Sequence, residues 1–168
     1  FSFSYDAAGT RTMQVDALGE PWSEEELRVQ DVGWLHGAPR LRGQIDLGML
    51  SAPHILLDAQ GLVRPSRTGP LQLDGDFDRT QLRHVSMLKL ADEEAAVIGE
   101  ADVPETIVTH GVRGATVNGT HVPADPVDCD PTGAGDMFAA AYLVARAGGA
   151  DPIGATRRAA AVVADLLR

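Results

Sequence analysis

Three compact apolar runs constrain the fold of this chain more than any other feature. HILLD at 54–58, VSMLKL at 85–90 and ETIVTHG at 105–111 each break off at polar or glycine residues. The second gives way to the acidic stretch Asp92–Glu94, the start expected of a helix. Strands that feed helices in this manner build parallel βαβ units. In such sheets ligands bind beyond the carboxyl ends of the strands. Asp58, Lys89, His110 and Gly111 are therefore expected along one edge of one sheet.

Turn and cap chemistry supplies the other elements. Residues 1–16 read as a hairpin: FSFSY alternates, Asp6–Gly9 turns, and Arg11–Val15 alternates back. Ser23 is placed to N-cap a short helix at SEEEL. A strand and loop are expected over 31–38, and a loop containing Gly61 and Pro65 after HILLD. ATVNGTHV (115–122) is a hairpin with Asn118-Gly119 at its tip. A helix over about 133–147 closes at Gly148-Gly149. Another over about 152–167 starts with Asp151 as N-cap and Pro152 at its first position. Ala159, Val162, Val163, Leu166 and Leu167 keep helical spacing there. Trp22 and Trp34 are assigned to the core. The stretch Gly99–Glu105 is barely enough to complete a parallel crossover, which leaves open a missing segment.

Charge and composition exclude several classes of function. A formal net charge of -10 gives no general attraction for nucleic acid or anionic lipid. No apolar run has membrane-spanning length, and no signal peptide is visible. The single cysteine, Cys129, cannot form an internal disulfide and suits a reducing cytoplasm. The five histidines lack metal-ligand spacing and read as structural.

The chemistry concentrates in Asp128-Cys129-Asp130-Pro131-Thr132-Gly133-Ala134-Gly135-Asp136-Met137-Phe138, a glycine-rich turn entering an apolar helix. The first amides of a helix lack internal partners and favour negative charge, so a phosphate is their natural guest. Asp136 in the first turn would repel that phosphate, a conflict that makes sense if the acid has a chemical task beside it. Other phosphate and metal loops fail on spacing. No Lys follows the glycines as a P-loop requires, and Phe138 stands where a dinucleotide fingerprint needs Gly or Ala. A calcium loop would need Glu at Ala139, and the Asp74, Asp76, Asp78 stretch has Arg79 at its required glycine.

DPTGAGD at 130–136 resembles the second signature of the PfkB carbohydrate kinases, the ribokinase-like family. The resemblance continues, in the family's order, through DAQGLVRP (58–65), VSMLKLADEEA (85–95) and VTHGVRGATV (108–117). It implies an α/β fold: a three-layer αβα sandwich with a mostly parallel central sheet. Residues 1–22 would form lid-side strands and 31–168 a core carrying the nucleotide site. It implies an ATP-dependent phosphotransferase acting on a hydroxyl of a sugar, sugar derivative or nucleoside, with Mg²⁺. Asp136 would be the catalytic base and Gly133, Ala134 and Gly135 the anion hole. Thr109, Gly111, Gly114 and Thr132 would meet the nucleotide, although Gly111 and Gly114 read equally as a strand-end turn. Glu94 would act on Mg²⁺ indirectly, or stand as a solvated helix residue. A monovalent cation such as K⁺ would lie near the Asp130 loop, and a homodimer is compatible with the family.

Two departures qualify the resemblance. Ala91 replaces the Asn of the family's N-x-x-E, leaving Glu94 alone. The family's N-terminal Gly-Gly signature and most sugar-contacting residues have no counterpart, so the chain is expected to be a C-terminal part of a longer protein. Asp58 and Arg64 are expected to pair in their loop. A non-catalytic nucleotide- or sugar-binding relative is the alternative. A Rossmann-like oxidoreductase is disfavoured by Phe138.

Overall fold

The computed structural model describes residues 1–5, 11–28, 31–127 and 132–168. The turn at Asp6–Gly9, Cys129 and Asp130 lie outside these residues. Strands β1 (Ser2–Tyr5) and β2 (Arg11–Val15) pair antiparallel, with Phe3 opposite Met13. Helix α1 (Glu24–Leu27) opens on a capping box, in which the Ser23 N–H donates to the Glu26 carboxylate at 2.8 Å. β3 (Trp34–Gly37) and β4 (His54–Asp58) follow. Where a loop was expected, Gln60–Val63 forms one helical turn, α2. Leu62 and Val63 are buried in the core, and tertiary packing overrides the turn-like composition. The two-residue strand β5 (Gly69–Pro70) then joins β2 to complete a small sheet ordered β1-β2-β5.

The main sheet is built from β3, β4, β6 (Met87–Ala91), β7 (Glu105–Thr109), β8 (Ala115–Val117) and β9 (Thr120–Val122), in that order. The first four are parallel, and the β8–β9 hairpin adds antiparallel strands at one side. At the hairpin tip Asn118 and Gly119 both take positive φ, as a two-residue turn between twisted strands requires. Helix α3 (Asp92–Ile98) connects β6 to β7, which pair over five residues from Met87–Glu105 to Ala91–Thr109. The short crossover thus closes. Arg79 fixes its far end by donating to the carbonyls of Ile98 and Glu100.

Alternate residues of the buried strands serve two cores. Leu56, Met87 and Ile107 pack with Phe138, Tyr142 and Ala159 of helices α4 (Ala134–Ala147) and α5 (Pro152–Leu166). Leu57, Leu88 and Leu90 pack on the opposite side with Leu62, Leu82 and Ile98. This is a three-layer αβα arrangement around a mostly parallel sheet. One packing expectation needs correction. Trp22 is 56% exposed, while Trp34 is partly buried and stacks on His54. On α5, Val162 and Leu166 face outward, and the buried residues are Ala155, Thr156, Ala159 and Ala164. Small residues let α5 approach α4 closely, so the packed stripe is narrower than the apolar one. Among the described residues no helix is long and apolar enough to cross a membrane.

Candidate active site

Among the described residues no side chain caps the start of helix α4. Its N-cap, Gly133, has φ 82°, a left-handed conformation that costs glycine little and other residues more. The contrast with α5 is direct: there the Asp151 carboxylate accepts from Gly154 N–H at 2.7 Å. Amides at a helix start of this kind are donors that an anion can take. Asp136 lies in that turn, exposed, with no hydrogen bond or ion pair to another described residue. Thr132 is exposed just ahead of Gly133.

Beneath this turn lies a charged cluster on the α4 face of the sheet. The Lys89 Nζ sits 3.4 Å from where a Cβ on Gly135 would stand. The same ammonium donates to Asp58 Oδ1 at 2.5 Å, and His36 Nε2 lies 2.9 Å from Asp58 Oδ2. Strand register explains the meeting: Asp58 pairs with Lys89, and His36 with Leu56 one pleat back. Asp58 is 1% exposed. Burial pushes its pKa up, but the His36 hydrogen bond and the Lys89 charge outweigh this and bring it below the ordinary 3.8. With a depressed folded pKa, this carboxylate stabilises the fold above pH 3.8, and the contribution is lost as pH falls through the folded value.

Glu94 is buried and answers to a different set of partners. It accepts from the Ala91 N–H at 2.8 Å, and Arg64 Nη2 lies 3.8 Å from its other oxygen. Burial raises its pKa, against the pull of that amide and of Arg64 and Lys89. The expected Asp58–Arg64 pair is therefore replaced by Asp58 with Lys89 and His36, and Arg64 with Glu94. Asp58 ends a buried strand, whereas Arg64 emerges beyond α2, which packs near α3. Both Glu94 oxygens have protein partners. Among the described residues no cluster of three His, Cys, Asp or Glu could hold a metal ion.

Beside the start of α4 opens an apolar cleft of about 220 Å³. Thr109, Gly111 and Gly114 line one side, Ala134, Gly135 and Phe138 another, and Val163 and Leu167 of the C-terminal segment close it. The structure thus brings three of the four sequence-derived nucleotide candidates to two of the three anion-hole residues. The first wall is held from behind. His110 lies 2.6 Å from Asp92 and 2.8 Å from Thr116 Oγ1, and Arg113 donates to Asp92 at 2.6 Å. Gly114 is sterically fixed as glycine: φ is 98°, and a Cβ would lie 2.2 Å from the Val122 carbonyl oxygen. Gly114→Ala is expected to cost about 1–3 kcal/mol of stability and to deform the cleft. Thermal melts with and without nucleotide would show both losses.

Lys89, Asp58 and His36 are the site residues that reading the sequence did not assign. Strand-end position placed Asp58 and Lys89 on the right edge, but nothing in the sequence showed that they and His36 share one carboxylate.

The model of the pfkB family carbohydrate kinases matches residues 81–165, just over half of the chain. The chain belongs to this family. No curated protein matches. Among solved structures it is similar to a pyrophosphate-dependent kinase in the ribokinase family, in a sulfate complex. Identity is 23%, TM-score 0.80, with 97% of this chain and 66% of that one covered. A pyrophosphate-dependent kinase of the ribokinase family, complexed with a pyrophosphate analog and myo-inositol, matches at 23% identity and TM-score 0.81, covering 94% and 66%. The Burkholderia thailandensis nucleoside kinase in complex with inosine matches at 24% identity and TM-score 0.61, covering 84% and 52%. The chain spans less than two thirds of the length of each of these proteins. At such identities these likenesses establish the ribokinase-like fold.

Proposed function

We propose that this chain carries the donor site and catalytic base of a kinase that moves a phosphoryl group from ATP to a hydroxyl of a sugar, sugar derivative or nucleoside. The observation that carries the reading is the first turn of α4. A glycine-led helix start, without a side-chain cap among the described residues, stands next to a buried ammonium, with an exposed carboxylate in the same turn that pairs with no other described residue. Phosphoryl transfer needs positioning and charge stabilisation more than covalent chemistry. The amides of Gly133, Ala134 and Gly135, with Lys89, would hold the transferring group. Asp136 would accept the proton of the attacking hydroxyl. Mg²⁺ would supply charge neutralisation when bound with the donor, and Glu94, already engaged by the Ala91 amide and Arg64, would act on it only indirectly. The monovalent cation proposed near Asp130 concerns a loop outside the described residues.

The cleft supports a nucleotide as donor. A purine needs an apolar slot next to the phosphate site, and Phe138, Val163 and Leu167 supply one. A second reading, pyrophosphate as donor, is favoured by the likeness to pyrophosphate-dependent kinases. Ala160 lines the cleft and separates the two readings. Ala160→Phe is expected to raise the KM for ATP by about tenfold or more, equivalent to ~1.4 kcal/mol, by filling the slot. Turnover of ATP and of pyrophosphate should be measured on the intact protein with sugars, polyols such as myo-inositol, and nucleoside acceptors such as inosine. Transfer from pyrophosphate but not ATP would give the donor site to pyrophosphate. Binding of nucleotide without transfer to any acceptor would favour a non-catalytic relative.

A further inference from the structure

The role of Lys89 depends on how the ammonium is shared. It is bonded to Asp58, yet it lies against Gly135 at the start of α4. A carboxylate with one partner would draw that partner fully to itself and weaken its hold on a phosphate. Asp58 has two partners on two strands. His36 from β3 takes Oδ2 and Lys89 from β6 takes Oδ1. With Asp58 ionised, the His36 Nε2–H is the donor, and the two bonds together fix the plane of the carboxylate.

We propose that His36 is a positioning residue for phosphoryl transfer: by occupying Oδ2 of Asp58 it keeps the Lys89 ammonium beside the first turn of α4, available to the donor phosphates. This rests on the reading of that turn as the phosphate site. Without His36, the carboxylate turns to chelate Lys89 with both oxygens, and its whole charge competes with phosphate for the ammonium. His36 is a fitting holder. Its side chain is 23% exposed, and its strand is locked to β4 by parallel register from Trp34–His54 to Gly37–Leu57.

The test uses the intact protein, with His36→Leu removing the bond and His36→Gln keeping an N–H donor of similar reach. Calorimetric binding of ATP and of inorganic pyrophosphate is read beside kcat and both KM values, with melting curves to confirm folding. Expected for His36→Leu is a roughly tenfold rise in donor Kd and KM, with acceptor KM within about twofold of wild type. His36→Gln should recover most of the loss, which a merely structural role would not predict. Unchanged donor binding in a folded His36→Leu protein, or a change confined to the acceptor KM, overturns the proposal. If the unaltered protein binds neither ATP nor pyrophosphate, the phosphate site itself is wrong and the proposal falls with it. If His36→Leu does not fold, His36→Asn, which shortens the donor, must give the same donor-specific loss, and its absence refutes the idea.

Discussion

Asp136→Asn is expected to lower turnover by ~10²–10⁴-fold while leaving the protein folded. A sugar hydroxyl is a very weak acid, and its proton must leave as the bond to phosphorus forms. Asp136 is exposed in the first turn of α4 and engages no other described residue, so its carboxylate is available for that proton. The amide of Asn keeps the shape and removes the basicity. Donor affinity should hold or improve, because a negative charge beside the phosphates has gone. Stability should fall by only ~0.3–1 kcal/mol, the value of an acid near a helix N-terminus. Steady-state kinetics and melting curves on the same preparation separate the effects. Normal turnover in Asp136→Asn would remove Asp136 from the mechanism.

The opposite pattern is expected at the other end of β7. Glu105 is buried at the start of that strand, far along it from Thr109 and the cleft. Arg146 of α4 donates to both its oxygens, at 3.1 and 2.9 Å, and the Tyr142 hydroxyl donates to Oε1 at 2.5 Å. Burial and the neighbouring carboxylate push the Tyr142 pKa up, so the phenol stays a donor throughout the accessible pH range. Arg146 also donates to the Ala150 carbonyl at 2.6 Å, which ties the α4–α5 turn to the sheet. Glu105→Ala leaves Arg146 and Tyr142 with unmet donors in a half-closed site. It is expected to cost about 3–5 kcal/mol. Denaturant unfolding would measure the loss. The variant should keep wild-type kcat where folded, since its side chain reaches no part of the cleft. A fall in kcat with unchanged stability would contradict this division between the two ends of α4.

Much of this organisation could be read from residue order alone. Asn118-Gly119 dictates a tight turn because both residues tolerate positive φ. Ser23 and Asp151 dictate helix starts because their side chains satisfy free amides. The DPTGAGD signature with its ordered neighbours was enough to suggest the family, since a glycine turn entering a helix is a local chemical unit. These are short-range effects, and a sequence records short-range effects directly. What surrounds the site was decided by register between strands distant in sequence. Asp58 meets Lys89 and His36, and not the nearby Arg64, because parallel pairing brings three strand ends together on the α4 face of the sheet. Trp22 is exposed although it is large and apolar, and the buried side of α5 follows its alanines because only small residues allow close contact with α4. Hydrophobicity alone does not say which surface a neighbour will cover; the packing of the layers does.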